Sequence, residues 1–179
     1  MLLRFPYGRG FLQTEISEEQ LEMVSSQRVE PLRELGKAVR QSLNEPIQSK
    51  PLHSLSKRKK LCVIVPDETR ACPTKKILPP VLEELKGCQP SELKILIGNG
   101  LHRCMSNQEM IEMLGENIIE EYEVINHVAT DKRQLVDLGM KTSYGTLAIV
   151  NKIAAESDYV LGIGLVEPHF FAGYSGGRK

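Results

Sequence analysis

Two short apolar runs, Leu61-Cys62-Val63-Ile64-Val65 and, broken only by Lys94, Leu93-Lys94-Ile95-Leu96-Ile97, most restrict what this chain can become. Runs of about five residues are too short to cross a bilayer and read as strands buried on both faces. Between them Ile77, Leu78, Val81, Leu82 and Leu85 recur at helical spacing. Strand, helix, strand in that order is the signature of a parallel sheet. The pattern continues. Ser106 and Glu109 form a capping box ahead of Met110, Ile111, Leu114 and Ile118. Tyr122–Ile125 reads as a third strand, Thr146–Val150 as a fourth, residues 152–156 as a short helix and Tyr159–Ile163 as a fifth strand. Pro79-Pro80 predicts a helix that starts near the pair or is kinked by it. Upstream, Leu2–Tyr7 and Phe11–Ile16 flank Gly8-Arg9-Gly10 as a β-hairpin. Leu32, Leu35, Val39 and Leu43 predict a helix over 28–43, stopped at Asn44-Glu45-Pro46. The fold class expected is α/β: a Rossmann-like three-layer domain with a mainly parallel sheet, preceded by an N-terminal hairpin and helix.

Composition narrows the function. Basic and acidic side chains balance, 23 against 23. A nucleic-acid partner is not expected, because such proteins present a basic face. The run Lys57-Arg58-Lys59-Lys60 reads as a solvated loop ahead of a strand. No membrane association is expected, and no signal peptide is visible at the N-terminus. Cys62, Cys72, Cys88 and Cys104 lack C-x-x-C spacing. Reduced thiols in a cytoplasmic protein are expected rather than a disulfide framework or a zinc site.

In parallel α/β sheets ligands bind beyond the carboxyl ends of the strands. The first buried strand ends in Pro66-Asp67-Glu68-Thr69-Arg70, the second in Gly98-Asn99-Gly100-Leu101-His102-Arg103. The third ends in Asn126-His127-Val128-Ala129-Thr130-Asp131. The fifth leads into Glu167-Pro168-His169 and a glycine-rich tail ending Ser175-Gly176-Gly177-Arg178-Lys179. Polar, ionisable residues thus converge on one sheet edge. Arg103 stands where G-x-G-x-x-G requires its third glycine, which weakens a dinucleotide reading. The tail is one residue short of a P-loop, yet Ser175, Gly176, Gly177 and Arg178 suit a phosphate. A tail without a ligand reads about as well. Arg70 suits a bidentate carboxylate clamp, or an ion pair with Asp67 or Glu68. His102 and His169 suit proton transfer near neutral pH. His127 reads as a turn residue bonded to Asp131.

Asp67-x-Thr69-Arg70, Gly100-Leu101-His102-Arg103, His127-Val128-x-Thr130-Asp131 and the stretch from Glu167 to Lys179 occur in this order in one family. So does Asn151-Lys152-Ile153-Ala154-Ala155-Glu156. The sequence resembles the N-terminal portion of the lactate racemase family, the nickel-pincer-nucleotide 2-hydroxyacid racemases and epimerases, over nearly its whole length. That resemblance implies residues 1–179 as the catalytic and cofactor-binding N-terminal domain of a larger two-domain enzyme. It implies His102 and His169 as the acid/base pair, with Arg70, and Asp67 beside it, at the substrate. Lys179 would carry the cofactor, and Ser175, Gly176, Gly177 and Arg178 would lie near its phosphate. The metal ligand is expected from a histidine downstream of Lys179, so no residue of this chain is assigned to nickel. Partners implied are a small 2-hydroxyacid and the chain's own C-terminal domain. Isolated, the 179 residues are expected to be inactive and to lack the cofactor. The alternatives are a non-catalytic nucleotide- or phosphate-binding module, and a relative working on another substrate such as a sugar acid.

Overall fold

The computed structural model describes residues 1–22, 24, 27 and 29–176. The chain divides into two compact units, Met1–Leu32 and Arg33–Lys179. In the first, β1 (Leu2–Tyr7) and β2 (Gly10–Glu15) pair antiparallel, with Tyr7 opposite Gly10. Gly8 takes a φ of +56°, the left-handed conformation that a two-residue hairpin loop needs at its first position. The Arg4 guanidinium lies 3.8 Å from the centroid of the Phe11 ring.

The second unit is built on a four-stranded parallel sheet. Its strands are β3 (Lys60–Val65), β4 (Glu92–Ile97), β5 (Glu123–Asn126) and β8 (Tyr159–Gly162), in the order β5-β4-β3-β8. Val63, Val65, Ile95 and Ile97 are completely buried. Cys62 and Leu96, on the opposite face, are buried too, which is why β3 and the end of β4 read as continuous apolar runs rather than alternating ones. Helix α2 (Thr74–Gly87) covers the sheet with Leu78, Val81, Leu82 and Leu85. Helix α1 (Leu35–Asn44) packs along α2 and is tied to it by Arg40, which pairs with Glu83 and lies 3.8 Å from Glu84. Asp158 anchors the start of β8 to the start of β3, accepting the Lys60 N–H at 2.8 Å and the Lys59 ammonium at 3.0 Å.

The departures from the sequence reading have local causes. Helix α1 starts at Leu35, not near residue 28. Pro31 disfavours helical geometry at Glu30, and Leu32, counted in the apolar stripe, is exposed. Helix α2 runs unbroken through Pro79 and Pro80. The carbonyls deprived of partners belong to Lys75 and Lys76, both exposed, where water can replace the lost bonds. The segment after the capping box is two helices, α3 (Asn107–Leu114) and α4 (Glu116–Glu121). Gly115 separates them with a φ of +101°. The largest correction concerns the expected fourth strand. It forms β7 (Leu147–Asn151), outside the parallel sheet, and pairs antiparallel with β6 (Leu135–Lys141) in a two-stranded sheet of its own. Helix α5 (Lys152–Glu156) follows, capped by the Asn151 side chain. After β8 the chain forms a small hairpin, β9 (Glu167–His169) and β10 (Gly173–Ser175).

Candidate functional site

The strand order reverses at β3: β4 and β5 lie to one side and β8 to the other. That switch point, at the carboxyl ends, is where a crevice opens in a sheet of this kind. The segments leaving β3 and β4 bring Asp67, Arg70 and His102 to that end of the sheet, and the chain leaving β8 leads on to His169.

Leaving β3, the chain turns tightly, and the Arg70 N–H donates to the Asp67 carbonyl at 3.2 Å. Asp67 is buried, 3% exposed. Its Oδ1 accepts the Thr69 hydroxyl at 2.6 Å and the Thr69 N–H at 3.2 Å. Its Oδ2 meets His102 Nδ1 at 2.5 Å. Burial alone would raise this carboxyl. The hydrogen bonds from Thr69 and His102 outweigh it and hold Asp67 below the usual carboxylate range. An ionised Asp67 can only accept, so His102 carries its proton on Nδ1 and presents Nε2 as a base.

His102 reaches this position through the turn after β4. Gly100 has a φ of +59°, and the His102 N–H donates to the Asn99 carbonyl at 2.9 Å. Asn99 is buried at 1% exposure. Its amide donates to the Arg103 carbonyl, while Oδ1, also buried, has no donor among the described residues. Arg103 grips Glu109 through two hydrogen bonds, 2.8 and 2.5 Å, and lies 3.2 Å from Glu68. That fork holds the Glu109 carboxyl near pH 2, helped by the Ser106 N–H.

These pairings decide the reading of Arg70. Asp67 is bound to Thr69 and His102, and Glu68 to Arg103, so neither neighbour neutralises Arg70. It is exposed and makes no ion pair among the described residues. It lines an open cleft of about 520 Å³ with Glu68, Thr74, Lys75 and Glu109, beside the first turn of α2. A more apolar cavity of about 240 Å³, lined by Leu43, Leu52, Leu61 and Tyr159, opens at the amino ends of β3 and β8, away from this chemistry.

His169 closes β9. Its Nδ1 accepts the N–H groups of Phe171 at 3.5 Å and Ala172 at 3.3 Å, which places its proton on Nε2. Its ring stacks on Phe170 and meets Phe171 edge-on. The Ser175 hydroxyl lies 3.5 Å from the Glu167 carbonyl. At Gly176 (φ +81°) the space of a Cβ is filled by the backbone of Leu165, so the chain itself demands glycine there. Gly177, Arg178 and Lys179 lie outside the described residues. Asp67 and His102 are thus in contact and Arg70 is on the same turn. No hydrogen bond joins His169 or Ser175 to them.

His127 follows a different course from the one expected. Asp131 is engaged by Arg133, and His127 bonds to Asn151 at 3.0 Å. Asn99 and Asn151 went unassigned in the sequence, where an asparagine at a strand end is indistinguishable from a turn residue.

A parallel α/β domain with a buried carboxylate paired to an exposed histidine, and an arginine without an ion pair among the described residues, at the carboxyl ends of its strands is the class that fold and site define. Known proteins give it a family. The profile described as the lactate racemase N-terminal domain matches residues 7–179. The lactate racemase of Lactiplantibacillus plantarum is 40% identical over 143 residues, covering 79% of this chain and 34% of that protein. That of Thermoanaerobacterium thermosaccharolyticum is 35% identical over 99% of this chain and 42% of its own length. The lactate racemase apoprotein structure from the same organism superposes with a TM-score of 0.82 at 31% identity, over 99% of this chain and 42% of that one. A Thermotoga maritima protein shares the fold at 22% identity, with a TM-score of 0.63 over 79% of this chain and 36% of its own. The chain belongs to the lactate racemase N-terminal domain family. It spans between a third and somewhat over two fifths of the length of the racemases it matches.

Proposed function

We propose that residues 1–179 are the N-terminal domain of a larger 2-hydroxyacid racemase or epimerase, holding half of its substrate and cofactor site. The observation that carries this reading is the Asp67–His102 pair beside an arginine that makes no ion pair among the described residues.

The chemistry follows from the two ring states. Inverting an alcohol carbon requires removal of the hydroxyl proton on one side and its return on the other. His102 offers a bare Nε2 and His169 an Nε2–H. One ring accepts the hydroxyl proton while the other is ready to donate, and substrate of the opposite hand uses them in reverse. Arg70 holds the carboxylate through two parallel N–H bonds, so the rest of the molecule can turn about a fixed point. Asp67 acts on His102 rather than on the substrate, because both its oxygens are already occupied.

A nickel-pincer nucleotide fits the family resemblance. The donor set agrees with a nucleotide in two respects. Asn99 Oδ1 is a buried acceptor awaiting a donor, and Arg70 with Lys75 lines the cleft at the start of α2. When bound, this group supplies the site that takes and returns hydride. Ser175, Gly176, Gly177 and Arg178 are the residues proposed for its phosphate and Lys179 for its attachment. Among the described residues no group of three or more His, Cys, Asp or Glu is placed to hold a metal. The nickel-binding histidine is proposed to come from beyond Lys179.

The C-terminal domain and a small 2-hydroxyacid are the partners proposed, and the isolated 179 residues are proposed to be inactive. No described helix is long and apolar enough to cross a membrane. All four cysteines are free, and burial pushes the Cys62 thiol up to about 11. A cytoplasmic location is proposed, in keeping with four free cysteines. The reading is tested on the full-length, cofactor-loaded protein with D- and L-lactate and related acids. Interconversion of one pair, lost by at least about 100-fold in His102→Gln, is expected. Equal turnover by wild type and variant would refute the role of His102.

A further inference from the structure

His127 directly follows β5, which pairs with β4, and its backbone N–H donates to the Ile97 carbonyl at 3.0 Å. Its ring is half-buried, with Nδ1 lying 3.0 Å from Asn151 Nδ2. The direction of that bond is fixed by the groups around Asn151. Asn151 Oδ1 accepts the Ile153 N–H at 2.9 Å, capping α5. Turning the amide over would set an NH₂ against that N–H. Asn151 Nδ2 also approaches Gln134 Oε1 at 3.3 Å, and Gln134 Oε1 accepts the Val128 N–H at 3.0 Å. Gln134 therefore cannot turn either. Nδ2 is a donor, His127 Nδ1 is an acceptor, and the ring proton sits on Nε2. That Nε2–H has no partner among the described residues. It is also absent from the buried side-chain atoms left unpaired among the described residues, Asn99 Oδ1 and Tyr122 Oη, so it is not fully buried.

We infer that His127 is a third histidine of the site, locked by Asn151 and Gln134 as a neutral Nε2–H donor, and that it binds an anionic oxygen of the ligand instead of moving a proton. The inference rests on the racemase reading for its ligand, but not for its ring state. His102 and His127 follow neighbouring strands of the sheet, β4 and β5, with their protons on opposite nitrogens. Asp67 makes one a base. Asn151, an amide, makes the other a donor that cannot take a second proton on Nδ1 without losing its partner. A carboxylate at position 151 would reverse the ring, because it keeps the acceptor for Ile153 N–H but requires a proton on Nδ1.

The test has two arms. Nitrogen-detected NMR of the histidine rings in the ¹⁵N-labelled 179-residue chain reads the ring state directly. Expected is Nε2–H for His127, Nδ1–H for His102, and a switch of His127 alone to Nδ1–H in Asn151→Asp. A charged or Nδ1-protonated His127 in the wild-type chain, or no switch in the variant, overturns the inference. In the full-length loaded enzyme, with L-lactate as probe, His127→Ala and Asn151→Asp are expected to weaken kcat/KM by at least tenfold. His127→Gln keeps an N–H but cannot titrate, and is expected to lose only a few-fold with its pH profile unmoved. Loss in His127→Gln as deep as in His127→Ala would mark a proton-transfer or purely structural role, and no loss in either would remove His127 from the site. If the wild-type enzyme turns over no hydroxyacid, the racemase reading fails while the NMR arm still decides the ring state.

Discussion

At residue scale the site depends on which partner each charged group already has. Asp67 and His102 are 35 positions apart in sequence, yet the carboxylate is buried and spent on Thr69 and His102. Asp67→Asn in the full-length enzyme is therefore expected to act through His102. An amide oxygen accepts Nδ1–H less strongly, and an amide NH₂ in its place would force the proton to Nε2. A fall in kcat of about 100-fold or more is expected, with KM changed much less. Steady-state kinetics check this, and a variant defective only in KM would return Asp67 to a substrate contact. That Asp67, Arg70 and His102 stand beyond the carboxyl ends of β3 and β4 was legible in the sequence, because the apolar runs mark where those strands end. Their pairings were not. Nothing in the sequence says that Glu68 pairs with Arg103 rather than Arg70, because that choice is made by the turn after β4 folding back onto the turn after β3.

At the scale of elements, α3 shows how local chemistry fixes a site loop. Ser106 Oγ accepts the Glu109 N–H at 3.3 Å, and the Glu109 carboxylate accepts the Ser106 N–H at 2.8 Å. Arg103, next to His102, holds that same carboxylate. Ser106→Ala is expected to cost about 1 kcal/mol, a fall in Tm of about 2–4 °C, measurable by calorimetry. Glu109 carries the pH dependence. Its folded value near 2 lies below an unfolded value of about 4.3. Its contribution is complete above that unfolded value and disappears as pH falls toward 2. The Tm difference between wild type and Glu109→Gln should accordingly shrink over that interval, and a constant difference would show that the ionised carboxylate is not what stabilises the cap. The capping box was legible because it is a four-residue pattern. The break at Gly115 was not, because an apolar stripe carries across a single glycine. The β6–β7 pair was missed for a related reason: an apolar run such as Leu147–Val150 specifies a strand but not its partner.

Across the whole molecule, the parallel sheet is the frame that holds three chemically different strand ends in register. Leu78 is fully buried against it. Leu78→Ala is expected to cost about 2–5 kcal/mol with the ring states of His102 and His127 unchanged in the molecules that remain folded, which denaturant titration and NMR together check. The architecture was legible in two short apolar runs and the helix between them, since burial on both faces leaves no alternation. The β9–β10 hairpin was not, as its strands are three residues long and the glycine that follows it, Gly176, is set by backbone contact with Leu165. Acid, base and carboxylate clamp are the roles proposed for this domain, and the remaining length of its relatives is where the rest of the site is proposed to lie.

The most direct measurement of that claim is the interconversion of D- and L-2-hydroxyacids by the full-length loaded protein, compared with Arg70→Ala, His102→Gln and His169→Gln. Racemisation of one acid by the wild type, with kcat falling by at least about 100-fold in each histidine variant and KM rising in Arg70→Ala, is the predicted result. No interconversion by the loaded wild type, or racemisation undiminished by all three substitutions, would contradict it.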